Sequence, residues 1–157
     1  MKCRTTERRE WIVNNYFVEP KAHIKLLANQ IKNSDAGGII EDEYYIFQAT
    51  SKTNGKREVI QCGMGAARDF LRLLNHKGLP IFNPIHNDIG HHNGVNNRNN
   101  INNDNASKWN PTAKQLYNAI MWIITIINAS PGTPIYSIKS QVEDRKDQTP
   151  YSLALKV

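Results

Sequence analysis

The chain has 157 residues, a length at which one hydrophobic core organises a single domain, and its 39% apolar and 22% charged residues exclude both a disordered and a membrane-embedded composition. Twenty Lys and Arg against 14 Asp and Glu leave a formal charge of +6, and two cysteines are too few for a disulfide framework. The positive surplus is central: residues 51–108 carry 8 basic and 4 acidic groups, whereas residues 1–50 carry 7 of each.

The start "MKCRTTERREW" passes from basic into charged residues without an apolar run, so no signal peptide is read there and a cytoplasmic location is expected. In that reducing compartment both cysteines stay as thiols, with Cys3 reactive near a frayed terminus and Cys62 buried and inert. Residues 5–17, "TTERREWIVNNYF", predict an amphipathic helix with Trp11, Ile12 and Tyr16 inward and Arg8 and Arg9 outward. A second helix is expected from Pro20, because Ile24, Leu27, Ala28 and Ile31 repeat at i, i+3, i+4 and i+7 before "NSDAGG" ends it.

A hairpin follows, with "EYYIFQAT" and "KREVIQCG" flanking Asn54-Gly55, the dipeptide suited to a two-residue turn. That turn would oppose Thr50 to Val59, Ala49 to Ile60 and Phe47 to Cys62. "GMGAARDFLRLLNHKG" then reads as a helix with Ala67, Phe70, Leu71 and Leu74 on one stripe and Gly78 as its stop. "LPIFNPI" is an extended connector. Residues 83–110 hold 11 asparagines in 28 positions with little apolar periodicity, which predicts a long loop.

A helix from Pro111 to about Asn128 is expected to be buried on most sides, with Leu116, Ile120, Ile123 and Ile127 as its main stripe. Its apolar run at 119–129 is too short to cross a bilayer, which needs about 20 residues. After "SPGTP", Tyr136, Ile138 and Val142 alternate, as do Tyr151, Leu153, Leu155 and Val157, which predicts a second hairpin. Helices and hairpins in this order, without βαβ repeats, give an α+β fold: one domain over residues 1–157, with about four helices and two hairpins.

Four constellations bear on function. His86, Asp88, His91 and His92 could hold a divalent metal, but no later His or Cys closes the ligand set, and a polar loop with incidental histidines is the favoured reading. The surrounding "DIGHHNGVNNRNN" resembles HNH-type endonucleases in composition, and that resemblance implies catalytic roles for His91, His92 and Asn93 around a divalent metal. It departs from the class in lacking a histidine on the helix that follows and bracing Cys pairs, so the family is not assigned. The strand-turn-helix "EVIQCGMGAARDFL" places Gly63, Gly65 and Arg68 where helix amides can receive an anion, but neither the third glycine of a dinucleotide fingerprint nor a Walker lysine is present. Cys62 at that turn could be a thiolate nucleophile served by a histidine, but no local signature accompanies it.

Finally, "RREW" and "NNRNNINNDNASKWN" interleave Arg8, Arg9, Arg98 and Lys108 with Trp11 and Trp109, the pairing by which phosphates are neutralised and bases stacked. The expected function is binding of nucleic acid or another polyanion through the central basic, Asn-rich region, without a cofactor and without a membrane. Two alternatives stay open: a metal-dependent nuclease using the His/Asp/Asn tract, and an inhibitor-like or immunity-like module whose partner is a protein.

Overall fold

The computed structural model describes residues 1–84 and 109–150. The first helix, α1 (Thr6–Asn15), opens at Thr5, whose hydroxyl accepts the Arg8 amide at 3.3 Å. At Tyr16 the backbone turns extended and the chain runs directly into strand β1 (Tyr16–Lys25). This replaces the helix expected from Pro20. The competing interaction is long-range: strand β4 (Glu43–Ser51) pairs antiparallel along all of β1, from Tyr16 opposite Ser51 to Lys25 opposite Glu43. Pro20 is tolerated because β1 is an edge strand and the register shifts between Pro20 and Ala22.

That irregularity also reassigns the faces of the strand. Before it Val18 packs with Ala49 and Phe47; after it Ala22 and Ile24 pack with Tyr44 and Ile46 on the opposite side. A short antiparallel pair, β2 (Lys32–Asn33) and β3 (Ile39–Ile40), intervenes before β4.

The hairpin of β4 with β5 (Arg57–Gly63) forms as expected, but two residues out of the anticipated register, with Phe47 opposite Ile60, Tyr45 opposite Cys62 and Thr50 opposite Arg57. A two-residue turn of the expected kind needs positive φ at both central residues, and only Gly55 has it, at +70°. Instead Ser51 closes a longer turn, its amide donating to Lys56 O at 2.8 Å and its Oγ accepting from the Thr53 and Asn54 amides. A shift of two leaves every side chain on its intended face. Cys62 therefore still packs with Phe47 and Ile60.

Helix α2 (Met64–Leu73) buries Ala66, Ala67 and Phe70. It ends at Asn75, which takes φ +49° while the His76 amide bonds back to Leu71 O, so the stop comes before Gly78. Phe82 bridges to Ile24, consistent with an extended connector. Helix α3 (Pro111–Ile126) is capped by Asn110 Oδ1, which accepts the Thr112 and Ala113 amides. Its buried face is Ala113, Tyr117, Ile120, Met121 and Ile124, whereas Leu116, Ile123 and Ile127 of the expected stripe are exposed. The first strand of the predicted C-terminal hairpin is instead helix α4 (Pro134–Asp144), with Pro134 in its first turn and Tyr136 and Lys139 inward. The second, at 151–157, lies outside the described residues, as do residues 85–108.

The fold is α+β: four helices, a three-stranded antiparallel sheet ordered β1-β4-β5 and the β2-β3 pair among the described residues. One core lies between the sheet and α1 with α2, around Ile12, Phe47, Ile60 and Phe70. The other lies between the sheet and α3 with α4, around Ile24, Tyr44, Ile120 and Met121. No helix among the described residues is long and apolar enough to cross a membrane.

Candidate nucleic-acid interface

The described residues place Arg8 on the exposed side of α1, its guanidinium 4.1 Å from the centroid of the Trp11 ring. Trp11, expected inward, is 44% exposed, because α1 buries only Ile12 and Arg9. Arg9 is the reverse case. Expected outward, it is buried and sends five hydrogen bonds to protein acceptors: two to Asp69 Oδ2, one each to Cys3 O and Arg4 O, and one to Thr6 Oγ1. Its donors are committed to tying α1 to α2, and none is left for a phosphate.

Strand alternation builds a second aromatic and basic group on the other face of the sheet. Val18 and Ala49 point to the α1–α2 side, so Phe17, Thr50 and Arg57, in one cross-strand row, point to the other. Neither α3 nor α4 covers Phe17, which is 63% exposed. Lys52 Nζ stands 5.3 Å from its ring centroid and donates to Val13 O and Asn14 O, two carbonyls at the C-terminal end of α1. The β4–β5 turn is thus docked against the α1–β1 junction, which brings Trp11, Phe17 and Lys52 to one end of the sheet.

The row continues into a cavity of about 190 Å³ lined by Lys21, Gln48, Arg57, Thr133, Ser137 and Ser140. Lys21 is neutralised there by Glu19, 2.5 Å away, whereas the Arg57 side chain has no ion-pair partner among the described residues. Lys56 lies 3.9 Å from Glu58 and is otherwise exposed. The chemistry available is stacking by the exposed Phe17 ring, flanked by the positive charges of Lys52 and Arg57 and by hydroxyl and amide groups, with Arg8 and Trp11 as a separate pair on α1.

Trp109 lies elsewhere, half-buried on the α3 side with Tyr117 at 5.0 Å and Lys114 Nζ at 5.0 Å from its ring. It is a packing residue at the helix entrance, set apart from Trp11 by the sheet. Arg98, Lys108, His86, Asp88, His91, His92 and Asn93 lie outside the described residues.

Gly63 and Gly65 do flank the start of α2, and Gly63 caps it with extended backbone and no side-chain bond. The adjoining cavity of about 450 Å³ is lined by Glu41, Asp42 and Glu43, a charge setting opposite to that of an anion cradle, and Arg68 is exposed outside that lining. Among the described residues no cluster of three His, Cys, Asp or Glu side chains is placed to hold a metal. His23 is committed on both ring nitrogens, to Leu79 O at 3.1 Å and Glu43 at 3.2 Å.

Phe17, Lys52 and Arg57 were not singled out by sequence. Phe17 fell inside a predicted helix, and only the sheet pairing puts it in line with Arg57. No protein-family model matches this chain, and neither the curated proteins nor the solved structures searched contain a match to it.

Proposed function

We propose that the protein binds nucleic acid, with the exposed aromatic and basic end of the sheet as a contact surface and the Asn-rich tract 83–110, through Arg98 and Lys108, as a further contact segment. The observation that supports this reading is Phe17, an apolar ring held on a sheet surface in line with Arg57, which has no ion-pair partner among the described residues, and 5.3 Å from Lys52 Nζ. A ring so placed stacks on any base, and cations beside it meet the backbone that follows. Single-stranded nucleic acid fits best, since its bases are free to stack. We place this activity in the cytoplasm, a reducing compartment that holds thiols free unless an oxidant reaches them.

Fluorescence anisotropy with labelled single-stranded DNA and RNA across a salt series tests it. Phe17→Ala should weaken binding about tenfold, the worth of one stacked base. Arg8→Ala with Arg57→Ala should flatten the salt dependence by about 1.4 in log–log slope. Arg98→Ala with Lys108→Ala asks the same of the tract. Absence of binding by the unmodified protein at low salt would overturn the proposal, and metal-dependent cleavage of the probe would replace it with the nuclease.

A further inference from the structure

We propose that Cys3 and Cys62 are an oxidation site, a buried dithiol that a hydroperoxide converts to a disulfide between the segment preceding α1 and strand β5. Both thiols are 0% exposed and belong to one cluster with Ile12, Phe47, Ile60 and Phe70. The backbone brings them together through Asp35: the Cys3 amide donates to Asp35 O at 2.9 Å, and the Asp35 amide donates to Gln61 O at 2.8 Å, one residue before Cys62. The opposite side of residue 3 is fixed by Arg9, whose Nη1 donates to Cys3 O at 2.8 Å. Held in this way, the two thiols sit in one buried cluster, close enough that each shifts the other's titration. Cys3 is thus not the frayed, freely reactive residue expected from sequence.

The pair is asymmetric, which assigns the roles. Interaction with Cys62 lowers the Cys3 thiol below its ordinary value, against the opposing effect of burial. The same interaction, followed by burial, pushes the Cys62 thiol well up. The Arg9 guanidinium, held at the Cys3 carbonyl, favours a thiolate at residue 3, which makes Cys3 the nucleophile and Cys62 the resolving thiol. The Cys3 sulfur attacks one peroxide oxygen; the O–O bond breaks, and the departing hydroxide takes the proton that Cys3 has released. Cys62 then attacks the Cys3 sulfenic sulfur. The S–O bond breaks, and the hydroxide that leaves carries away the Cys62 proton as water. Two thiols are oxidised and one hydrogen peroxide is reduced to two waters.

The site is independent of nucleic-acid binding, since neither cysteine reaches the Phe17 surface. Burial makes access the slow step, so reaction should trail that of an exposed thiol but stay intramolecular. Native full-length protein is treated with hydrogen peroxide, quenched with an alkylating agent and mapped without reduction by mass spectrometry. The expected product is monomeric, lighter by two hydrogens, with the Cys3 and Cys62 peptides joined and released by dithiothreitol. In Cys62→Ser, dimedone should trap a sulfenic acid at Cys3; in Cys3→Ser, Cys62 should stay unmodified. The proposal is overturned if native protein stays reduced at peroxide levels that oxidise the urea-unfolded chain. It is equally overturned if oxidation stops at sulfinic acid without a linked peptide, or joins only separate molecules.

Discussion

Tyr136 and Arg9 show opposite ways of burying a polar group. The Tyr136 ring is 95% buried against α3 and the sheet, yet its Oη finds no hydrogen-bond partner among the described residues. An unpartnered buried hydroxyl costs free energy that its apolar isostere does not. Tyr136→Phe should therefore raise stability by about 1 kcal/mol, read as a higher urea midpoint at unchanged slope. Arg9, by contrast, is satisfied throughout, and its strongest partner is Asp69 at 2.6 Å. Removing that carboxylate leaves a buried guanidinium with part of its donors unpaired. Asp69→Ala should cost about 2 kcal/mol, reduced from a fully buried pair because the Asp69 side chain is 29% exposed. Equilibrium unfolding checks both, and an Asp69→Ala protein as stable as the parent would show that the ion pair holds nothing.

Helix α3 shows how an element can be right in type and rotated in face. Isoleucines at 120, 123, 124, 126 and 127 offer several apolar stripes, and the periodicity alone does not choose among them. The choice falls to Tyr117 and Met121, which join Ile120 and Ile124 against Tyr44, Ile46 and Tyr136. Two substitutions of identical chemistry then separate. Ile120→Ala, at a side chain 3% exposed, should cost about 3 kcal/mol, whereas Ile126→Ala, at 72% exposed, should cost less than about 0.5 kcal/mol. Thermal unfolding of the two variants side by side decides it, and equal losses would mean that the helix is buried all round after all. In β1 the same kind of competition went further and changed the element, since Ile24, the first apolar residue of the helical pattern, pairs with Tyr44 in the ladder opposite β4.

The molecule as a whole places three tyrosines, Tyr44, Tyr117 and Tyr136, in the core between the sheet and α3 with α4. Burial pushes the Tyr44 phenol up to about 12, and burial likewise pushes Tyr117 and Tyr136 upward. In the unfolded chain these phenols ionise near their ordinary value of about 10. A raised folded-state value favours the folded state fully below that pH, and the advantage is lost as pH rises towards and through the folded value. Stability should thus hold to about pH 10 and fall steeply by about pH 12, with tyrosinate absorbance rising together with the loss of structure. Tyrosinate formation well before unfolding would place these hydroxyls at the surface.

Signals that act over a few residues were legible in the chain. The Pro111 start of α3, the glycine-containing passage from β5 into α2 and the alternation that puts Cys62 with Phe47 all stand as read, because helix starts, turns and strand periodicity depend on near neighbours. So does the α+β class. The hairpin register and the α2 stop failed on local turn geometry, whereas the readings at β1, Arg9, Cys3 and Phe17 failed for want of a partner far along the chain. Residues 16–25 became a strand because residues 43–51 lie beside them, and Arg9 turned inward because Asp69 waits 60 positions later. Cys3 was drawn from the surface by Asp35 and Cys62, and Phe17 met Arg57 through the sheet. A local pattern leaves several faces and pairings close in energy, and the choice among them is made by contacts that exist only once distant segments have come together.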